Sequence, residues 1–184
     1  MTAAAAAPAM RYVVVGTSGA GKSTFAQALA TALDCPRVDL DDLFWGPNWT
    51  PRPTEQFEAA AHQAAAGERW VIDGNYSVVR DIVWPRATHV VWLDYSRATV
   101  MARILRRTFW RVLTRAPLWQ GNRESWRRAF LSRESIIVWS ATTWAKNRIK
   151  YARLRDDAAL SHLAWVHLRR PREAAAWLRQ IAHP

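Results

Sequence analysis

The sequence predicts an α/β domain in which a five-stranded parallel sheet is covered by helices on both faces, a three-layer α/β/α arrangement. Three observations carry this. Short β-branched runs recur without polar breaks, they alternate with segments of helical period, and 50% of the 184 residues are hydrophobic, enough for a sizeable core.

Residues 1–10, MTAAAAAPAM, have no basic stretch and only weak alanine hydrophobicity, so a disordered tail is expected there rather than a signal peptide. Residues 11–184 then form one domain. Tyr12 to Val15 reads as the first buried strand and stops at Gly16. Phe25, Leu29 and Leu33 place one apolar stripe on a helix from Lys22 to Leu33, and Arg37 to Leu40 reads as a second strand. Residues 46–53 hold three prolines and a glycine and exclude regular structure. Thr54 is placed to cap a helix running to Ala66. Trp70 to Ile72 and His89 to Leu93 are the next strands, and a helix starts at Ser96 and runs to about Thr108. After a basic, Trp-rich stretch, Arg133 to Arg155 reads as a long helix and Leu163 to Leu168 as the fifth strand. Pro171 opens the last helix, where its missing N–H costs nothing.

Charge is unevenly spread. The net charge is +11, yet Arg97 to Arg155 holds 13 Arg and 2 Lys against Glu124 and Glu134, a net +13, which leaves −2 for the rest. Disulfides are excluded within the chain because Cys35 stands alone, and a reducing cytoplasm is the expected location. No apolar run is long enough for a membrane-spanning helix. His62, His89, His162, His167 and His183 show no metal-ligand spacing with one another or with Cys35.

Gly16-Thr17-Ser18-Gly19-Ala20-Gly21-Lys22-Ser23 satisfies the phosphate-loop pattern G-x-x-x-x-G-K-[ST], and it stands between a strand and a helix start. Glycines there let successive N–H groups, including those of Ser18 and Ala20, turn toward phosphate oxygens at the positive end of the helix dipole. Lys22 supplies a point charge to the β and γ phosphates. Ser23 offers a hydroxyl to Mg²⁺, and Thr24 can reach the α-phosphate. ATP and Mg²⁺ are therefore the expected ligands. A carboxylate at a neighbouring strand end must help hold the metal, and the candidates are Asp73 and, where the second strand gives out, Asp39, Asp41 and Asp42. If the chain is extended there, Asp39 and Asp41 project to one side. The alternative is helix capping by Asp41 or Asp42. Trp45, Trp49 and Tyr76 fall where an acceptor would be edged, either stacking on it or packing in the core.

These motifs resemble the nucleotide and small-molecule kinase branch of P-loop proteins, which includes adenylate, shikimate and gluconate kinases. Ile72-Asp73-Gly74 resembles the Leu-Asp-Gly of adenylate kinases, and Asp39-Leu40-Asp41 resembles the Asp-x-Asp of shikimate kinases. Ala102 to Arg107 looks like the helix that opens the adenylate kinase lid, which implies that Arg103 stacks on adenine and Arg107 reaches phosphate. Arg169-Arg170-Pro171 resembles the adenine-flanking loop, so Arg170 is a nucleotide-binding candidate. Asp39 to Trp45, Pro47-Asn48-Trp49 and Asp73 to Tyr76 look like a subgroup of adenylate kinase-like proteins called DNA topology modulation proteins. The chain departs from adenylate kinases where Asn75-Tyr76 replaces Phe-Pro-Arg, so the first arginine after Asp73 is Arg80.

The resemblance implies an ATP-dependent phosphotransferase with an acceptor side at about 39–69 and an arginine-rich helical lid at about 108–133. On the acceptor side Asp39, Asp41, Asp42, Trp45, Asn75, Tyr76 and Arg80 are the substrate-binding candidates. Asp41 would orient or deprotonate an acceptor hydroxyl. Lid arginines at 111, 115, 123, 127, 128 and 133 are available, with Arg107 and either Arg123 or Arg127 expected at the transferring phosphoryl group. The competing expectation is an ATP-switched protein that grips nucleic acid through the Arg/Trp segment. Contact with an anionic membrane surface or pairing of subunits is disfavoured because Trp110, Trp119, Trp126, Trp139 and Trp144 keep no single helical face.

Overall fold

The computed structural model describes residues 9–114 and 136–183, with backbone alone at 108, 111–114 and 136–141. Five strands, β1 (Met10–Gly16), β2 (Arg37–Asp39), β3 (Arg69–Asp73), β4 (His89–Leu93) and β5 (Ala164–Leu168), form one parallel sheet in the order β2-β3-β1-β4-β5. Central β1 pairs Val14 with Asp73 on one side and Gly16 with Leu93 on the other. The carboxyl ends of β1, β3 and β4 therefore lie side by side, where ligands bind in open sheets.

Alternation along β1 divides the core. Tyr12 and Val14 face a layer with Phe25, Leu29 and Leu33 of α1 (Lys22–Leu33) and Ala174 of the C-terminal helix (Pro171–Ala182). Val13 and Val15 face the opposite layer, which holds Phe57 and Ala61 of another helix (Thr54–Ala64), Trp84, Trp92 and Tyr151. A parallel sheet needs both covers because each face of its strands is apolar. In chain order the helices are α1, α2 (Leu40–Phe44), α3 (Thr54–Ala64), α4 (Arg80–Val83), α5 (Arg97–Thr114), α6 (Ile136–Arg155) and α7 (Pro171–Ala182).

Several local expectations are corrected. Met10, expected in the tail, opens β1 and pairs with Arg69. The second strand stops at Asp39, so Asp41 is not on an extended chain. Asp39 caps α2 by accepting the Asp41 backbone N–H at 3.0 Å, which displaces the expectation of capping by Asp41 or Asp42. Pro47–Trp49 forms a 3-10 turn inside the stretch expected to be irregular. Thr54 is the first residue of α3 and makes no side-chain cap, and the helix ends at Ala64, not Ala66. Helix α5 continues to Thr114, through the first part of the expected lid. Arg115, Arg123, Arg127, Arg128 and Arg133 lie outside the described residues, as does the side chain of Arg111. Trp92 is buried as expected, and Trp165 and Trp177 are partly buried against the two core layers.

The turn after β3 is tight. Gly74 has φ +147°, and a Cβ there would stand 2.7 Å from Leu40 Cβ. Gly74→Ala is expected to destabilise the fold by about 1–3 kcal/mol, read as a lower midpoint in urea unfolding, because backbone strain and overpacking coincide. An unchanged midpoint would show that Leu40 yields freely.

Candidate active site

The phosphate loop joins β1 to α1, and its glycines are required by conformation and by neighbours. Gly19 and Gly21 have φ +85° and +90°, and a Cβ on Gly19 would fall within the Ile104 side chain of α5. Gly21 is the left-handed N-cap of α1. Polypeptide this rich in glycine does not hold one shape by itself. Side chains from three elements hold it here. Arg103 of α5 donates to Ala20 O at 2.7 Å and lies over the Tyr95 ring at 5.0 Å. Asn75, just past β3, donates to Gly16 O at 2.6 Å and accepts the Gly16 N–H at 3.4 Å. From α6, Tyr151 donates its hydroxyl to Asn75 Oδ1 at 2.8 Å, and Asn147 reaches Thr17 Oγ1 at 3.4 Å. Lys22 is half-buried, while Ser23 and Thr24 at the start of α1 are exposed.

Carboxylates from β2, α2 and β3 gather beside the loop. Asp39 and Asp73 are register partners across β2 and β3, and like charges placed so closely repel. Arg37 compensates by donating to Asp39 Oδ2 at 2.9 Å and to Asp73 Oδ1 at 3.0 Å. Asp73 also accepts from the Ser23 side chain, and burial, then Asp39, push its carboxyl up to about 6. Asp41 accepts from Tyr76 Oη at 2.6 Å. Burial raises the Asp41 carboxyl, while the Tyr76 hydroxyl, Lys22 and Arg107 pull it back. Lys22 is lowered by burial and raised by Asp41 and Asp73, with Arg107 acting against them. Lys22, Asp41, Asp73 and Arg107 therefore share one electrostatic neighbourhood at the ends of the strands.

The structure brings together Gly16, Ser18, Gly19, Ala20, Gly21, Lys22 and Ser23 with Asp39, Asp41, Asp73, Asn75, Tyr76, Arg103 and Arg107. Four of these serve the fold as well. Both oxygens of Asp39 are engaged by the chain, and Asp73 takes Arg37 on Oδ1 and the Ser23 side chain. Asn75 binds the loop backbone, and Arg103 lies on Tyr95, where adenine stacking was expected. Tyr76 packs on Phe44 and Phe57 at ring centroid distances of 4.7 and 5.1 Å. Trp45 packs on Phe44 and Trp49 at 4.8 and 5.7 Å and donates to the Tyr76 hydroxyl, so this aromatic group supports the wall carrying Asp41. Asp42 is exposed on α2. Arg80 lies over the Trp84 ring, 5.6 Å away. Arg170 is the N-cap residue of α7 and stands 3.8 Å from Glu173, whose charge reaches Tyr95, the ring under Arg103. Among the described residues no three His, Cys, Asp or Glu converge on a metal position.

Sequence reading misses Arg37 and the face of α6. Asp94, at the end of β4, pairs with Arg148 Nε at 2.9 Å and with His167 Nε2 at 3.0 Å, and His167 stacks on Trp92 at 4.1 Å. Trp144 donates to Tyr95 O at 3.1 Å. Residues 144, 147, 148 and 151 thus line one α6 face against the strand ends. A carboxylate directly after an apolar strand, as at Asp73, is the signal that marks Asp94.

With Asp73 raised to about 6 from an ordinary 3.8, the folded chain keeps a proton that the unfolded chain has already lost. Ligand-free stability therefore falls as pH rises from about 4 to about 6, and Asp41 acts in the same direction. Asp73→Asn is expected to remove on the order of 1–3 kcal/mol of that fall, measured by urea unfolding across the window. Equal slopes in the two proteins would contradict this.

No protein-family model matches the sequence, and no curated protein matches it. Solved structures do. The chain is similar to a shikimate kinase from Bacteroides thetaiotaomicron at 16% identity and a TM-score of 0.54, over 94% of this chain and 95% of that chain. A gluconokinase from Sinorhizobium meliloti 1021 shares 20% identity over 95% of this chain and 94% of that chain, with a TM-score of 0.49. With its five parallel strands, helices on both faces and phosphate loop after β1, the chain has the three-layer P-loop fold of that shikimate kinase.

Proposed function

We propose that this chain is an ATP-dependent phosphotransferase of the adenylate kinase-like P-loop type, moving the γ-phosphoryl group of ATP to a small acceptor. The carrying observation is that Lys22 of a braced phosphate loop shares its electrostatic neighbourhood with Asp41 and Asp73. Backbone N–H groups of residues 18–24 would hold the phosphates, with Lys22 on the β and γ groups. Ser23 and Asp73 offer two oxygen donors linked to each other, which suits Mg²⁺, an ion that keeps several waters and takes phosphate oxygens. Bound Mg²⁺ would neutralise charge on the transferring phosphates.

Asp41 fits the role of acceptor base. Tyr76 fixes one carboxylate oxygen, and the raised carboxyl makes Asp41 a better proton acceptor than an ordinary aspartate. In the transfer, the acceptor hydroxyl gives its proton to Asp41 as its oxygen bonds to the γ phosphorus. The bond to the β–γ bridging oxygen breaks, and ADP leaves. Arg107, which faces Lys22 and Asp41, would stabilise the transferring group. Arg123 or Arg127 would add to it, and Arg103, Thr24 and Arg170 are kept as nucleotide-binding candidates. The resemblance to DNA topology modulation proteins is compatible with such a kinase, and the lone Cys35 fits a cytoplasmic setting. Among the described residues no helix is long and apolar enough to cross a membrane.

Exposed Phe109 and Trp110 on α5, beside Arg106, favour a second reading in which the basic segment binds nucleic acid. That reading expects DNA affinity that falls steeply with salt and no phosphoryl transfer.

Lys22→Ala is expected to lower ATP affinity and to cut transfer by roughly 100-fold or more, since it removes one preorganised charge from the phosphates. Asp41→Asn is expected to lower kcat by roughly 100- to 10,000-fold with ATP affinity kept. Labelled ATP with a panel of nucleoside monophosphates and sugars reads both. Transfer to none of them, with only slow ATP hydrolysis, would overturn the kinase reading.

A further inference from the structure

A buried ionic group beside the phosphate loop takes no part in the proposed transfer. Asp94 follows β4 directly, and because Leu93 is the register partner of Gly16, it stands next to the point where the loop leaves the sheet. Its side chain is 2% exposed. Oδ1 accepts from Arg148 Nε at 2.9 Å, Oδ2 meets His167 Nε2 at 3.0 Å, and the backbone N–H donates to Leu168 O at 2.9 Å. An aromatic ring steadies each partner. His167 stacks on Trp92 at 4.1 Å, and the Arg148 guanidinium lies over the Trp144 ring at 4.9 Å.

A buried ion pair adds little stability over an apolar replacement, and its best-attested use is to specify one arrangement among several. Helix α6 needs such a device. Its apolar residues do not keep to one side, since Tyr151 is buried while Ile149 is 55% exposed, and Asn147 is half-buried. The four residues that face the strand ends each use a polar atom there. Trp144 donates to Tyr95 O, Asn147 to Thr17 Oγ1, Arg148 to Asp94 and Tyr151 to Asn75. Only the Arg148 contact is ionic. A shift of one residue turns a helix by about 100°, which would break all four contacts together. Two of them end on the phosphate loop or on Asn75, which holds Gly16.

We propose that Asp94 is a positioning residue that holds Arg148, sets the rotation of α6 and so, through Asn147 and Tyr151, imposes the phosphate-binding shape of the loop. Asp94 acts through other side chains and not on the ligand. The effect on ATP rests on the phosphotransferase reading, whereas the effect on the loop does not. This role accounts for a charged residue kept at the buried end of β4, and for the pairing of that charge with α6 rather than with solvent.

The test reads the loop first without nucleotide, by amide hydrogen exchange of the full chain. Arg148→Met is the main variant, because that side chain is 47% exposed and its loss opens no hole in the core. Asp94→Asn, which keeps shape and removes charge, is the second, and thermal unfolding shows that both are folded. In each, residues 16–22 should exchange about fivefold or more faster with the protection of β3 kept, and ATP affinity by calorimetry should fall by a similar factor. In a chain already carrying Asn147→Ala and Tyr151→Phe, adding Arg148→Met should weaken ATP by less than about twofold, since the route is already cut. Loop exchange as in the native chain in either folded variant overturns the proposal. So does a loss from Arg148→Met that adds in full to that of the double variant, because Arg148 would then act by another route. Labelled ATP with the acceptor panel separates the two ideas. A loop that loosens as expected in a chain that transfers no phosphoryl group removes the kinase reading and leaves the positioning role, whereas transfer with a loop indifferent to Arg148→Met does the reverse.

Discussion

The site depends on the double hydrogen bond by which Asn75 holds Gly16. A loop of glycines can bend around phosphate because few of its residues resist positive φ, and for the same reason it collapses to no single shape unaided. Asn75 addresses both backbone groups of Gly16 and is itself oriented by the Tyr151 hydroxyl. Arg103 fixes the far side of the loop through Ala20 O. With these contacts the N–H groups are aimed before any ligand arrives, which is the condition for electrostatic catalysis without reorganisation. The same contacts tie the loop to α5 and α6, the two helices that flank the arginine-rich segment.

Charge compensation is the second organising feature. The carboxyl ends of β2 and β3 carry Asp39 and Asp73 as neighbours, and Arg37 is the cation that makes this tolerable. On the other side of β1, Asp94 is held by Arg148 and His167. Positive and negative groups therefore alternate around the loop, with Lys22 at the point where their influences meet. Arg37 offsets only part of the repulsion at Asp73, whose carboxyl is still pushed up to about 6, whereas Asp94 is held on both oxygens.

Local signals in the chain were enough for much of the scaffold. The β-branched run before Gly16, the apolar stripe of α1 and the strand His89 to Leu93 are read correctly because their buried faces set the pattern. The phosphate loop is legible for the same reason, its residue types being dictated by backbone geometry. The short helix Leu40–Phe44 is not, since a cluster of aspartates reads equally as a strand end or a cap, and only the Asp39 to Asp41 bond decides. Partners distant in sequence are also invisible. Tyr151 meets Asn75 across 76 residues and Asn147 meets Thr17 across 130, and nothing local in either segment announces the contact. Arg123 and Arg127, expected at the phosphoryl group, lie outside the described residues.

The central claim is that side chains outside the loop impose its phosphate-binding shape. Calorimetric titration of ATP with Mg²⁺ into Asn75→Ala, with thermal unfolding as the check on folding, tests it most directly. The account predicts a folded protein whose ATP affinity falls by about tenfold or more, as expected when bonds that orient a loop are lost. Affinity equal to that of the native chain would contradict it.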